Sequence, residues 1–424
     1  MIGVIADDVT GATDVAVALR RGGLRTVLYF ATPPPGEISP EETGPSEYEA
    51  AVIALKTRTI EPSAAVAQSL AALDWLRRRG AGQIYLKFCS TFDSTSAGNI
   101  GPVLDALADA LDVPMVAMTP SSPEHGRTQY QGYLFVGNVL LSESHMRDHP
   151  LTPMTDSYLP RVLAGQSAHR AGVVPLREVR DGPAAVQRRL AELRTESFRY
   201  ALVDAVDQGD LATAGQALAT EPLVAGAAGL AGGLAAATAG SETAPEADTV
   251  DMSGTAVVLA GSCSARTLAQ LKAMIDAGRP AYRLDALADP DPESLAAGAL
   301  DWFSGLPGGV GAPLIYSSLE PSRLRLVQQA LGRERSATIM ETAIGLVART
   351  LVSRHGVTRV IAAGGETSGA VVKALGVTGG LIGAEAARGV PWIFAPGVTL
   401  LLKSGNFGEA DLLLNASAQQ PDSR

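Results

Sequence analysis

Apolar runs of strand length alternate with stripes at helical spacing from the first residues of the chain. Ile2–Ala6 is continuously apolar, Ala12–Arg21 has a helical period, and Thr26–Phe30 is apolar again. Unbroken apolar runs are what strands buried on both faces look like, so the alternation predicts parallel sheets flanked by helices. The pattern resumes at Ala51–Leu55. Behind Pro62, a residue suited to a first helical turn, Val66, Leu70, Leu73 and Leu76 form a helical stripe. Gln83–Phe88 and Val113–Met118 read as strands around a helix at Gly101–Leu111, and a helix at Ala184–Arg194 precedes a strand at Tyr200–Ala205.

Three stretches break the rhythm. Residues 32–49 are rich in Pro, Gly and Glu and read as a surface loop. Pro120–Pro160 is dense in Pro, Gly, Ser and His, and irregular chain of that length points to a functional or interface segment. Ala235–Val250 mixes Ala, Thr, Glu and Pro without a period, which marks a domain boundary: 1–238, a linker at 239–252, and 253–424. Beyond it the alternation restarts with Thr255–Ala260, Ala265–Ala277, Leu314–Ser317, Ser336–His355 and Arg359–Ala363, followed by a mixed end through Lys403. The expected fold is therefore α/β with two domains, each a largely parallel sheet flanked by helices.

Composition narrows the function. Among 424 residues, 34 basic against 44 acidic side chains leave a net charge of -10, and aromatic residues are 5%. A phosphate-tracking groove or base-stacking platform is thus not expected, and nucleic acid is excluded as a partner. Two cysteines, Cys89 and Cys263, with no ligand spacing around them, support neither a disulfide framework nor structural zinc. The start, MIGVIADD, carries two acids where an export signal needs basic residues, so a cytoplasmic location is expected. Pro222–Ser241 is uncharged but too rich in Ala, Gly and Thr to span a bilayer, and reads as a strand, loop and helix.

Candidate chemistry gathers where strands end. The first strand runs into Asp7 and Asp8 and a Gly-containing turn, which is where ligands bind in open α/β sheets. The competing reading is that one of these acids caps the helix. A dinucleotide site would need GxGxxG here, and paired carboxylates would repel a pyrophosphate. After Phe88, KFCSTFDSTSAGNIG offers Lys87 to neutralise a carboxylate, hydroxyls at Ser90, Thr91, Ser94 and Thr95, and Asp93 as a proton acceptor, a set suited to a small hydroxy acid. Arg58 adds a guanidinium fork that matches a carboxylate, or alternatively makes a surface ion pair.

In the second half, GSCSART (Gly261–Thr267) and AAGGETSGA (Ala362–Ala370) each follow a strand and open a helix. Ser262, Ser264 and the backbone amides of both turns are candidate phosphate donors. A β-carbon at Gly364 or Gly365 is expected to obstruct both the turn and the approach of a phosphate. KSGNFG (Lys403–Gly408) is a third glycine turn. No Gly-Lys dipeptide exists, which excludes a Walker-type site. The five histidines show no metal spacing, and none is assigned a catalytic role.

These strings resemble the four-carbon acid sugar kinase family. The resemblance is carried by IADDVTGATD, KFCSTFDSTSAGNIGP, GYLFVGNVLLSES with HPLTPM, VDAVD, GSCS, GGETSG and LKSGNFG, in order along the chain. It implies a sugar-acid-binding N-terminal domain, a nucleotide-binding C-terminal domain, an active site in the cleft between them, and ATP- and Mg2+-dependent phosphorylation of the O4 hydroxyl of a four-carbon acid. The first expected substrate is a 3-oxo-tetronate, with D-threonate or erythronate as the alternative within the family. Carried over by motif, Asp7, Asp8, Arg58, Lys87, Cys89, Ser90 and Thr91 face the sugar acid, with Asp8 or Asp93 as the catalytic carboxylate. Ser262, Ser264, Gly364, Gly365, Glu366, Thr367, Gly405 and Asn406 face ATP. The resemblance assigns no metal ligand, and a homodimer is compatible with it. One departure is GAAGL (Gly226–Leu230), where the family tends to a Gly/Ser-rich turn; Ala227 and Ala228 remove a hydroxyl and a permissive backbone position. IGAEAARGVPW (Ile382–Trp392) also departs, with Ala386 and Arg388 in place of more apolar and Pro residues. The rivals outside the family are a non-catalytic sugar-acid sensor and a nicotinamide-dependent dehydrogenase.

Overall fold

A computed structural model describes residues 1–33, 48–239, 254–308 and 310–418. The chain divides into two units, Met1–Glu246 and Ala247–Arg424. Most of the loop expected at 32–49, and all of the linker expected at 239–252 except Ala239, lie outside the described residues.

The first unit opens with β1 (Ile2–Ala6), α1 (Val9–Arg21), β2 (Thr26–Tyr29), β3 (Ala50–Ala54), α2 (Pro62–Arg78), β4 (Gln83–Lys87), α3 (Ile100–Ala110) and β5 (Val116–Thr119). It continues with β6 (Arg127–Tyr130), β7 (Tyr133–Val136), β8 (Val139–Leu140), α4 (Leu159–Gln166), β9 (Ala171–Val174), α5 (Leu176–Arg180) and α6 (Pro183–Thr195). β10 (Tyr200–Val203), α7 (Gln208–Leu218), β11 (Leu223–Gly226) and α8 (Ala228–Ala239) complete it. Its parallel sheet has the order β2-β3-β1-β4-β11-β5-β10-β9. β1 lies at the centre with every residue buried, which is why its sequence does not alternate. Ile2 stands opposite Ala50 of β3 and Gln83 of β4. The chain thus leaves on one side of β1 and returns on the other, and the carboxyl edge of β1 is a topological switch point.

Pro120–Pro160 is more ordered than its composition suggests. β6, β7 and β8 form a separate antiparallel sheet, with Arg127 opposite Val136 and Phe135 opposite Leu140. The sequence hides it because the strands are two to four residues long and half-exposed, so little apolar alternation is required of them. The sheet is held to the larger one by the fully buried Asp204, which follows β10 and accepts from Gln129 Nε2 (3.0 Å) and from the amides of Gln131, Gly132 and Leu176.

The second unit runs β12 (Thr255–Ala260), α9 (Ala265–Asp276), β13 (Ala281–Arg283), α10 (Pro292–Ser304), β14 (Leu314–Tyr316), α11 (Pro321–Leu331) and α12 (Arg333–His355). β15 (Val357–Ala363), α13 (Gly365–Leu375), β16 (Gly379–Ala387), β17 (Val390–Ala395), β18 (Val398–Lys403) and α14 (Leu412–Ser417) follow. β13-β14-β12-β15-β18 is parallel, and β17 and β16 extend it antiparallel. Val258, Met274, Leu314, Ile361, Trp392 and Leu401 belong to its core. β12 has β14 on one side and β15 on the other, a second switch point. No helix among the described residues is long and apolar enough to cross a membrane.

Candidate active site

At the switch point of the first unit, Asp7 and Asp8 follow β1 as the strand-end argument requires. Asp8 is the N-cap of α1 and accepts from the Gly11 amide at 2.9 Å, so the capping alternative holds for this residue. Its carboxylate has a second partner, because Arg58 Nη2 reaches Asp8 Oδ1 at 2.6 Å. Arg58 also grips Asp7 with both arms of its fork, Nε to Oδ2 at 2.9 Å and Nη2 to Oδ1 at 2.8 Å. The backbone supports this grip: the amides of Thr57 and Arg58 donate to the Asp7 carbonyl, and the Asp7 amide to that of Lys87. Burial pushes the Asp7 carboxyl up from its ordinary range while the Arg58 fork opposes the push, and Arg58 is held more firmly protonated.

Asp93 approaches the same guanidinium, 3.8 Å from Nη1. It is brought there by the turn after β4. Phe92, fully buried against Phe88, adopts a left-handed backbone (φ 59°), a costly conformation for an aromatic residue and one that concentrates at functional sites. Asp93 also accepts from Thr152 Oγ1, which is 2.8 Å from His149 Nδ1. Within the turn, Cys89 Sγ and Thr91 Oγ1 lie 3.1 Å apart, and Ser90 is half-buried.

Lys87, 4% exposed, is differently placed. Its Nζ donates to the Phe88 carbonyl at 2.7 Å, and it has no carboxylate partner among the described residues. A β-carbon on Gly11 would sit 2.8 Å from this nitrogen and 2.5 Å from Asp8 Oδ1, so glycine in the first turn of α1 lets the ammonium lie beside the helix start. Asp14, one turn on, feels that cation, yet burial still pushes its carboxyl up. The GAAGL turn is packed rather than open, with Ala227 and Ala228 1% and 6% exposed.

In the second unit three glycine turns stand at adjacent strand ends. GSCS follows β12, GGET follows β15 and KSGNFG follows β18, and parallel register brings them together: the Ser262 amide donates to Ala363 O, and the Gly364 amide to Lys403 O. Ser264 caps α9, accepting from the Thr267 amide at 3.2 Å, and donates to Gly405 O at 2.6 Å. Gly405 has no room for a side chain, since a β-carbon would lie 2.6 Å from Ser262 Oγ. The two glycines of GGET differ. Gly364 needs its φ of 132°, and a β-carbon there would meet the Ser262 amide at 3.0 Å; Gly365 opens α13 with ordinary φ and nothing within 4 Å. The expected backbone constraint therefore rests on Gly364 alone.

A cavity of about 460 Å³ opens on these turns. Gly261, Ser262, Gly364, Gly365, Glu366 and Thr367 form its polar wall, and Leu324, Val327, Met340 and Ile344 of α11 and α12 its apolar wall. A pocket of this size with backbone donors at one end and aliphatic residues at the other suits a phosphate-bearing ligand with a flat apolar portion. Asn406 is exposed and takes no part in these bonds. Sequence reasoning passed over Thr152, His149, Phe92 and the floor of this cavity; only the family-like string HPLTPM signalled the first two.

Residues 2–234 match the model of a sugar-binding N-terminal domain, and residues 257–413 that of a nucleotide-binding C-terminal domain. The 3-oxo-tetronate kinase of Cupriavidus necator is 46% identical, with 99% of this chain and 97% of that protein aligned. That of Salmonella typhimurium is 44% identical over 99% of each. Among solved structures, a protein from Salmonella typhimurium LT2 described as a putative tRNA synthase superposes with a TM-score of 0.89 at 43% identity, covering 98% of both chains. Protein HI1011 of Haemophilus influenzae gives 0.88 at 41% identity, also over 98% of both.

Proposed function

The chain belongs to the four-carbon acid sugar kinase family, and from that premise we propose that it transfers the γ-phosphoryl group of ATP to the O4 hydroxyl of a 3-oxo-tetronate. The observation that carries this reading is full-length similarity to proteins named for that activity, together with a glycine-turn cavity in the unit that matches a nucleotide-binding domain. Residues 1–238 act on the sugar acid and 253–424 on the nucleotide.

Phosphoryl transfer asks for positioning and charge stabilisation more than for covalent chemistry. Lys87 is a buried cation of the first unit that makes no ion pair with a carboxylate among the described residues, and it lies beside the N-terminus of α1; it receives the substrate carboxylate. Arg58 acts through Asp7, Asp8 and Asp93, holding three acids at the ends of the paired strands β1 and β4. Asp8 or Asp93 takes the O4 proton. Ser90, Thr91 and Cys89 complete the surface around the acid. In the second unit the amides of Gly365, Glu366 and Thr367 at the start of α13, together with the Ser262 hydroxyl, hold the phosphates, while the amides of Ser262 and Gly364 and the Ser264–Gly405 contact fix the turns that carry them. Mg2+ takes oxygen ligands and normally keeps waters and phosphates among them, so Glu366 and Asp285, both on the cavity wall, suit it. Its contribution is to neutralise phosphate charge. Two free cysteines agree with a reducing, cytoplasmic setting.

An ADP-release screen over four-carbon acids tests the reading. The expected result is Mg2+-dependent turnover highest with a 3-oxo-tetronate and product phosphorylated at O4. Preference for threonate or erythronate replaces the substrate, and sugar-acid binding without ADP release in a folded preparation overturns the kinase assignment in favour of a sensor.

A further inference from the structure

Behind the glycine turns of the second unit lies a charged group that phosphate binding by backbone amides does not require. Lys403 ends β18 and is 1% exposed. Its Nζ donates to Thr267 Oγ1 at 2.8 Å and to Gly405 O at 2.9 Å. Gly405 O therefore accepts from three donors, Lys403, Ser264 and Thr267 (2.9 Å), and the KSGNFG turn is stapled to the start of α9. These two neutral acceptors take two of the ammonium's three hydrogens and leave its charge, and a buried charge without a counter-charge is costly.

The surrounding elements offer no counter-charge within ion-pair distance among the described residues. α9 contributes Arg266, a like charge, itself paired with Glu409 at 3.2 Å. β15 brings Ala363 alongside Lys403, with Arg359 at its other end, and β17 is uncharged. α13 contributes Glu366 and Lys373; Glu366 is exposed on the cavity wall and makes no ion pair with Lys403. The side of Lys403 facing the turns is the side from which an anion can compensate it.

We propose that Lys403 is a positioning residue of the nucleotide site, fixing the KSGNFG turn against GSCS and supplying from beneath the turns a positive charge that ATP phosphates complete. This rests on the reading that the second unit binds ATP. Lys403 acts through Gly405 and through its field rather than by contact, since its ammonium is enclosed. Burial, reinforced by Arg266, pushes its pKa down to about 8. A bound polyphosphate favours the protonated form, so nucleotide binding just above that pH draws a proton from solvent.

The test is isothermal titration calorimetry of ATP into the full chain at pH 8.5, in buffers of differing ionisation enthalpy, where the γ-phosphate has already lost its proton. Wild type is expected to take up a fraction of a proton per ATP. Lys403→Met is expected to weaken ATP at least tenfold and abolish uptake. Lys403→Arg keeps a charge that does not titrate, so uptake disappears while the loss of affinity is smaller than in Lys403→Met. ATP binding by wild type without uptake overturns the inference alone, as does uptake that persists in either variant. Should Lys403→Met fail to fold, wild type and Lys403→Arg still decide the matter. No ATP binding by wild type overturns the nucleotide reading itself, and this inference with it.

Discussion

Gly365 separates a folding role from a binding role more cleanly than any other residue of the phosphate turns. It opens α13, carries no positive φ, and has open space where a β-carbon would go, while lining the cavity. Replacing glycine by alanine at a helical position without strain stabilises by about 0.5–1 kcal/mol. At about 2–4 °C per kcal/mol for a domain of this size, Gly365→Ala should leave the melting temperature unchanged or raise it by about 1–4 °C. The same methyl projects where a phosphate must approach the amides. Each hydrogen bond from an amide to a charged acceptor contributes about 1.5–3 kcal/mol, so loss of one weakens ATP by about tenfold to somewhat over a hundredfold. Gly365→Val, bulkier in the same space, should abolish turnover while sugar-acid binding stays measurable. The contrast is Gly364→Ala, where φ of 132° and the Ser262 amide at 3.0 Å predict a lower melting temperature. Calorimetric titration with ATP beside a thermal melt reads both quantities. A well-folded Gly365→Val chain that binds ATP with unchanged affinity refutes the argument and places the nucleotide elsewhere.

Two further predictions concern the first unit. Lys87→Ala should weaken the sugar acid by about 1.5–3 kcal/mol, roughly ten- to a hundredfold, and leave ATP affinity within twofold; titration of each ligand checks it, and the reverse outcome would exchange the roles of the two units. Arg58→Met removes the guanidinium fork on Asp7, whose side chain is 12% exposed, and should cost about 3–5 kcal/mol in urea unfolding at pH 7. The sign with pH follows from burial having raised the Asp7 pKa. Without Arg58 the folded-state pKa lies further above the unfolded value, so the penalty is greatest above the folded pKa and shrinks as acid protonates the carboxyl. A penalty that does not shrink toward pH 4 would mean that Asp7 is not the group left unpaired.

Much of the architecture was legible because the central strands of both sheets are parallel and covered on both faces. Ile2–Ala6 and Thr255–Ala260 are read to the residue, since strands buried on both faces announce themselves as apolar runs bounded by polar turns. The antiparallel sheet of β6–β8 was not legible. Its strands pair locally, and its attachment through Asp204 depends on donors from four positions dispersed over Gln129–Leu176, none adjacent in sequence to the acceptor. β16–β18 merged into one mixed segment for a related reason: antiparallel strands joined by turns at Gly389 and Gly397 leave no helix to punctuate them.

The site divides along the same line. Asp7, Asp8, Lys87, Gly261 and Gly364 are visible because chemistry at a strand end is a matter of adjacency in sequence. What sequence does not disclose is how the charges share partners. Arg58 reads either as a fork for a carboxylate or as an ion pair, and its donors meet Asp7 and Asp8, with Asp93 as a third neighbour. Lys87 reads as a cation able to neutralise a carboxylate, but not as one kept by a missing β-carbon at Gly11 beside the helix start, without a carboxylate partner among the described residues. Lys403 looked like a plain turn residue, because nothing in KSGNFG reveals that three donors converge on the Gly405 carbonyl. Among the described residues each unit thus uses its paired charges for architecture and keeps one buried ammonium, Lys87 or Lys403, that makes no ion pair. That division is what a phosphotransferase with two anionic substrates needs, and it makes the lysines, rather than the arginine, the residues whose removal should discriminate between the two ligands.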